Sequence, residues 1–315
     1  MKILVFRALK IGDMLCSMPA LVNLRRHYPK AKIDIITLPN MVKFMVRLSP
    51  FFDELIPFSG YPNLPERKFS PREYDEMLER IHAEKYDLFI QMHGDGSYLE
   101  SFISDLDIPR VWAYCLSMCG DRFLYPHHLH EIHRHNALLE YYDVPIMTEE
   151  IPFPCFEEDV LSYERMKEHF GFESGRYVVL HPGASSEDRR WGVANFAEIA
   201  TLLDEKGYKI LVSGVDSEQA LFDDLQALLA FRLEKTLGKI GLGPLALFLR
   251  ESAGLISNCT GVSHIAAATQ TRSVIFSKDG EPARWGPLNT QLHKTFDCKK
   301  NDQLEKIIEY VQTSF

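Results

Sequence analysis

The stretch Ala253-Gly254-Leu255-Ile256-Ser257-Asn258-Cys259-Thr260-Gly261-Val262-Ser263-His264-Ile265-Ala266-Ala267-Ala268 decides how this chain is read. Its first four residues are an apolar run that predicts a buried strand. Its last four are an Ala-rich run that predicts a helix. Between them lies a short turn of Gly, Thr and Ser. The first N–H groups of a helix have no internal partner, and the helix dipole favours negative charge there. Gly261 lets an anion approach the backbone, and Thr260 and Ser263 add hydroxyl donors. Taken alone, the same residues also fit an ordinary, well-capped connection between a strand and a helix.

Two further units of the same kind argue for more than a cap. Tyr177-Val178-Val179-Leu180 leads into His181-Pro182-Gly183-Ala184-Ser185-Ser186-Glu187-Asp188-Arg189-Arg190-Trp191. Ile3-Leu4-Val5-Phe6 leads into Arg7-Ala8-Leu9-Lys10-Ile11-Gly12-Asp13. All three loops follow strands, and ligands of open α/β sheets bind at the carboxyl ends of strands.

Strand-like runs near 2–6, 32–37, 54–57, 86–91 and 110–114 alternate with helical patterns near 17–28, 41–48, 73–84, 97–106 and 131–142. A second series has strands near 177–181, 208–213, 253–257 and 272–276, with helices near 160–170, 194–206, 216–230, 243–251 and 261–269. Such alternation implies parallel sheets with crossover helices. Ser17 and Pro19 fit one start of the first long helix, and Gly12-Asp13 fits another in which Pro19 kinks it. The segment from Pro57 to Pro71, with Gly60, Asn63, Arg67 and Lys68, reads as a loop too long for a tight connection. The Pro- and acid-rich stretch from Val144 to Pro154 separates the two series. The expected division is residues 1–150, residues 151–300, and a last helical run from Asp302, within 301–315, that packs back on the first domain.

The 315 residues carry a net charge of -9, with 46% hydrophobic and 25% charged residues. This is globular material with an ample core, and its charge argues against nucleic acid as a partner. Arg7, Lys10, Arg25 and Arg26 are nevertheless close in sequence, as a local basic patch would require. Met1-Lys2 runs directly into a strand-like segment, so no signal peptide is expected. No apolar stretch reaches the ~18 residues of a membrane span. The six cysteines, at 16, 115, 119, 155, 259 and 298, are scattered, which suits a reducing cytoplasm. Cys115 and Cys119 lack paired ligands. His127, His128, His130, His133 and His135 contain helical spacings but no H-E-x-x-H, so a polar loop leading into a helix is expected rather than a metal site.

Two α/β halves could belong to a dehydrogenase, but G-x-G-x-x-G follows none of the strands, and G-x-x-x-x-G-K-[ST] is absent as well. Facing α/β domains with an anion site in the second suit an enzyme of nucleotide-sugars. Ile11-Gly12-Asp13-Met14-Leu15 with Met18-Pro19-Ala20-Leu21 resembles the N-terminal motif of glycosyltransferase family nine, the heptosyltransferases. His181-Pro182-Gly183-Ala184 with Arg189-Arg190-Trp191 resembles its central motif. Asn258 through His264, then Ala266-Ala267 and Arg284-Trp285-Gly286-Pro287, resembles its C-terminal motif. Glu131-Ile132-His133-Arg134-His135 with Leu138-Leu139 is similar to its domain-linking helix. Four motifs in the right order over most of the chain are specific where each alone is weak.

The resemblance implies a GT-B fold, with two Rossmann-like domains facing across a cleft. It implies an N-terminal acceptor domain, a C-terminal nucleotide-sugar domain, and inverting transfer with no bound metal or other cofactor. The partners would be a nucleotide-sugar donor, usually ADP-heptose, and a lipid-linked or glycan acceptor such as the lipopolysaccharide core. The setting would be the cytoplasm, with peripheral contact to the inner membrane. Asp13 would be the general base. Gly183, Ser185, Ser186, Glu218, Asn258, Cys259, Thr260, Gly261, Ser263 and His264 would meet the donor. Arg7, Lys10 and Gly12 beside Asp13, with Arg67 and Lys68 of the Pro-rich loop, are the candidate acceptor contacts.

The chemistry of these residues agrees. Inverting transfer needs one carboxylate to take the acceptor hydroxyl's proton, and positive charge for the departing diphosphate. Arg7 and Lys10 would keep Asp13 ionised. Arg189 is the leaving-group cation, at a position where many family members carry Lys; Arg adds a bidentate fork. A family carboxylate near Glu218 holds the ribose, and Asp216 competes for that role. Cys259 stands where the family usually has an Asp that contacts donor hydroxyls. A thiol does this poorly, so either the donor differs or Asn258 or Asp279 substitutes. The alternatives to a transferase are a nucleotide-sugar epimerase or hydrolase of similar fold, and a non-catalytic nucleotide-sugar-binding protein.

Overall fold

Ile3, Leu4, Val5 and Phe6 have no solvent-exposed surface, as expected for a central parallel strand covered on both faces. They form β1 (Lys2–Phe6) in the computed structural model, which describes residues 1–116, 120–301 and 303–315. Cys119 and Asp302, singled out in the sequence, lie outside the described residues. The chain divides into two units, Met1–Pro152 and Phe153–Phe315.

In the first unit β1 leads into α1 (Ile11–His27), followed by β2 (Lys32–Thr37), α2 (Val42–Val46), β3 (Glu54–Pro57) and α3 (Pro71–Glu84). Then come β4 (Leu88–Gln91), α4 (Glu100–Asp105), β5 (Val111–Trp112), a small pair of β6 (Tyr114–Cys115) and β7 (Phe123–Leu124), and α5 (Glu131–Tyr141). The sheet is parallel, in the order β3-β2-β1-β4-β5. Successive strands run outward from β1 on one side, and the chain then returns to β4 on the other. This reversal leaves a crevice at the carboxyl ends of β1 and β4. Of the two helix starts open in the sequence, the earlier one forms. Met14 N–H closes the first turn on Lys10 O at 2.9 Å, and Ser17 Oγ donates back to Met14 O at 2.8 Å. Ser17 is therefore inside the helix, and Pro19 sits within it.

The second unit runs α6 (Glu157–Phe170), β8 (Tyr177–His181), α7 (Val193–Glu205), β9 (Lys209–Val212), α8 (Gln219–Ala227), β10 (Glu234–Lys235) and α9 (Leu242–Glu251). It continues with β11 (Gly254–Asn258), α10 (Gly261–Ala268), β12 (Ser273–Ser277), α11 (Pro282–Trp285), β13 (His293–Asp297) and α12 (Leu304–Ser314). Its sheet is parallel, in the order β10-β9-β8-β11-β12-β13, with the reversal between β8 and β11. Val178, Leu180, Ile210, Val212, Ile256, Val274 and Phe276 of the sheet pack with Trp191 and Phe196 in one core.

Two expectations need correction here. The stretch between β12 and α12, where the sequence showed no strand-like run, contains β13. This edge strand has only two buried residues in five and no clean alternation, so periodicity does not reveal it. The last helix packs in the second unit, not back on the first. Ile307 and Val311 are fully buried in that unit's core, flanked by Leu304 and Ile308. These four residues form one apolar stripe at helical spacing, and the stripe is buried where the adjoining sheet and α7 provide an apolar surface.

Candidate functional site

β1 leads directly into Arg7, which is 1% exposed. Its Nη1 donates to Met92 O at 2.6 Å, just beyond β4. Its Nε and Nη2 donate to Asp13 O at 3.3 and 3.0 Å. Nη2 also lies 3.2 Å from Glu131 Oε1, at the start of α5. Glu131 Oε2 accepts from Arg134 Nη1 at 2.9 Å, and Arg134 further binds Tyr125 Oη, Pro126 O and His127 O. Tyr114 Oη donates to Arg134 O at 2.9 Å and faces His135 Nδ1 at 3.2 Å. Arg7, expected to meet the acceptor, is thus committed inside the unit, where it fixes the turn that carries Asp13.

Asp13 stands in the first turn of α1, half-buried. Burial pushes its carboxyl above the ordinary value. Arg7 and the N–H groups of Asp13 and Lys10 pull the other way, and Glu131 pushes it further up. Arg7 favours the ionised form, as expected, but desolvation outweighs it. Lys10 itself points to solvent and contributes its backbone. Gly12 precedes Asp13 in the same turn. Arg67 is occupied by Glu73 at 2.6 Å and by Phe58 O, whereas Lys68 is exposed. Arg25 pairs with Asp53 at 2.6 Å and donates to Ala31 O, so it and the buried Arg7 form no basic patch.

Neither His93 nor Glu66 stands out in the sequence. The buried His93 ring stacks on Phe6 at 4.6 Å. Its Nδ1 accepts from Ala8 N–H at 3.3 Å, and its Nε2 lies 3.4 Å from Glu66 Oε1. Burial would raise the Glu66 carboxyl, but His93 outweighs that and holds it below its ordinary value. Neither residue falls in a motif: His93 follows β4, Glu66 lies in the long loop after β3, and only the fold brings them together.

In the second unit, Asn258 ties two loops together. It is fully buried. Its Nδ2 donates to Pro182 O at 2.7 Å and Gly183 O at 3.3 Å, and its Oδ1 accepts from Trp191 N–H at 2.9 Å. Asn258 therefore positions the loop after β8 and is not available as the substitute donor contact that the sequence offered. Arg189 is 38% exposed along its side chain, and its Nη2 donates to Cys259 O at 3.2 Å and Asp279 Oδ2 at 3.0 Å. Asp279 Oδ1 accepts from Ser277 Oγ and Glu281 N–H. These bonds and Arg189 hold its carboxyl low against burial. Arg189 is anchored beside the start of α10 and is no free loop charge.

Thr260 is the N-cap of α10, yet its side chain makes no capping bond. Its Oγ1 is buried without a hydrogen-bond partner, which calls for an explanation. Ser263 Oγ donates to Thr260 O at 2.7 Å. Cys259 is 5% exposed, with Sγ 4.0 Å from Trp285 O. Burial and the nearby Asp279 push its thiol up to about 12, so it stays neutral. His264 is buried and meets the Trp285 ring edge-on at 6.5 Å. Ser185 and Ser186 are exposed.

Glu218 and Asp216, alternatives in the sequence, separate in space. Glu218 Oε2 accepts from Val215 N–H at 2.9 Å, and its carboxylate lies against Gly183 so closely that a Cβ there would collide with it. Asp216 instead lies against Gly238. Glu218 thus shares a loop cluster with Gly183, and through Asn258 with the start of α10. The histidine-rich stretch is structural: His130 Nδ1 caps α5 through Ile132 N–H at 3.1 Å, and His133 pairs with Glu149 at 3.2 Å. Among the described residues, no three His, Cys, Asp or Glu side chains converge as a metal-ligand set.

Residues 76–308 match the family model described as glycosyltransferase family 9 (heptosyltransferase), and the chain belongs to that family. It is similar to lipooligosaccharide heptosyltransferase 2 of Haemophilus ducreyi, with 24% identity covering 92% of this chain and 87% of that protein. A solved family 9 glycosyl transferase from Veillonella parvula superposes with a TM-score of 0.83 at 19% identity, covering 99% and 96% of the two chains. E. coli heptosyltransferase WaaC, solved with ADP, gives 0.72 at 17% identity over the whole of both chains. The fold is GT-B. A more distant likeness, at a TM-score of 0.53, is to an iron-containing dodecameric glycosyltransferase of E. coli; it covers 96% of this chain and 67% of that one.

Proposed function

We infer that this glycosyltransferase moves a heptose or related sugar, with inversion, from an ADP-linked donor to a lipopolysaccharide-core or other surface-glycan acceptor, without a metal. The observation that carries this reading is the anion site at the start of α10. Arg189 is held there by Cys259 O and Asp279, beside the unpartnered Thr260 hydroxyl and the first N–H groups of the helix. A diphosphate is the ligand this chemistry fits, and the same groups stabilise it as it departs. Glu218, at Gly183, is suited to the ribose hydroxyls. Asp13 serves as base on the first unit. The ADP in the solved E. coli heptosyltransferase and the heptosyltransferase name of the Haemophilus ducreyi relative support the donor class.

Described residues form no helix long and apolar enough to cross a membrane, so contact with a lipid-linked acceptor would be peripheral. Incubation with ADP-heptose and a lipopolysaccharide-core acceptor should give a product with inverted anomeric configuration by NMR, and turnover should survive EDTA. ADP should stabilise the protein more than UDP, GDP or CMP in a thermal-shift panel. Donor turnover with no acceptor present would favour the epimerase or hydrolase reading. Loss of turnover on chelation, restored by a metal ion, would overturn metal independence.

A further inference from the structure

The buried charges of the first unit exceed what a sheet-to-helix turn needs. Removing Arg, Glu and Arg side chains from water is costly even after relaxation, and the preceding residues of β1, Ile3 to Phe6, are wholly apolar. Arg7 joins the elements around the Asp13 turn: it holds Asp13 O, Met92 O beyond β4, and Glu131 at the start of α5. Glu131 in turn holds Arg134. With Asp13 ionised, the two guanidiniums and two carboxylates cancel. When Asp13 takes up a proton, one positive charge remains. Without Glu131 the same step would leave two, in surroundings that screen charge poorly.

We propose that Arg7 and Glu131 are positioning residues for the proton-transfer step: Arg7 fixes the turn bearing Asp13, and the Glu131 carboxylate, placed through Arg7, keeps Asp13 basic enough to accept the proton. The inference rests on Asp13 being the base. In the step itself, the acceptor hydroxyl oxygen bonds to the anomeric carbon and its proton passes to an Asp13 carboxylate oxygen. The bond from that carbon to the diphosphate oxygen breaks, and its electron pair leaves with the nucleoside diphosphate. The groups facing Asp13 are Arg7 just after β1, the N–H groups of Lys10 and of Asp13 itself, and Glu131 from α5. Arg134 and His135 stand behind Glu131. Burial pushes His135 down to about 4, so it is neutral near neutral pH. His93, beyond β4, faces Ala8 N–H and Glu66.

The test is the pH profile of the single-turnover rate with donor and acceptor saturating. Only ionised Asp13 is active, so the acid limb reports its proton affinity. R7Q removes a charge that lowers this affinity and should move the limb to higher pH, whereas R7K keeps the charge and should leave it near the parent position. E131Q should move the limb to lower pH and reduce the plateau rate about tenfold, because a weaker base transfers protons more slowly. E131D should restore both. Loosened packing would wet Asp13 and move the limb down in every variant, so a downward shift in R7Q overturns the proposal. Identical profiles for E131Q and E131D overturn it as well, and if E131Q does not fold, the R7Q and R7K pair decides alone. If D13N keeps the parental rate, or the parent transfers nothing, it is the functional reading that fails, and this inference fails with it.

Discussion

The carboxyl edges of the two sheets share a topology and differ in what fills them. At the first edge, Arg7, Glu131 and Arg134 are nearly inaccessible, and their bonds run inward to carbonyls, to Tyr125 and to one another. At the second, the buried linker is a neutral amide, Asn258, and the cation, Arg189, is substantially exposed. A base gains strength from burial and from a neighbouring negative charge, since both disfavour its ionised form. A site for a departing diphosphate needs the reverse: donors and a cation that are held firmly yet remain reachable. The same backbone plan therefore carries opposite electrostatics, each suited to one half of a transfer reaction.

The hardest way to break this comparison is at Asp13. D13N should reduce the transfer rate roughly 10²–10⁴-fold while ADP affinity, measured by calorimetry, stays near the parent value. In the parent, the acid limb of kcat should lie above the ordinary aspartate range, because burial and Glu131 raise this carboxyl and the proposed base works only when ionised. A limb at the ordinary position would mean that the first edge is wetter than its geometry implies. Next in size is R189A, which should lower kcat/KM by roughly 10²–10³-fold and weaken ADP binding. R189K should recover much of both. If Lys is as damaging as Ala, the fork that reaches Cys259 O and Asp279 matters more than the charge.

Asn258 tests the second edge as structure. N258A leaves Trp191 N–H, Pro182 O and Gly183 O without their side-chain partner and should cost about 2–4 kcal/mol in urea unfolding. A variant of parental stability would remove Asn258 from its place as a tie between loops. The smallest effect is expected at Cys259. C259D puts a carboxylate at a buried position already near Asp279. It should cost about 1–3 kcal/mol if unpaired, seen as lower activity on the natural donor. Higher activity with ADP-heptose than the parent enzyme would instead identify heptose as that donor, with Arg189 shared between the two acids.

The alternation of apolar runs with helical patterns was enough to specify two parallel α/β series, because burial on both faces leaves an unbroken apolar strand that is visible in one dimension. Asp13, Arg189, Glu218 and the Thr260-Gly261 turn stood out as candidates for a similar reason: each lies in a loop or turn that follows a strand, where the fold class puts ligands. Which way those side chains face could not be read. Arg7 and Arg189 look alike as cations after strands, yet one is sealed among carbonyls and the other stands at the surface. Glu131, His93 and Glu66 acquire their surroundings from segments 85 to 124 residues away from Arg7 or its neighbours in some pairings, and from loops of no fixed pattern in others. The final helix shows the same limit, since its apolar stripe announced that it would be buried but not against what. Sequence determines local periodicity and the chemical kind of each side chain. Only packing determines how far each charge is removed from water and which countercharge stands beside it, and those two quantities set its proton affinity.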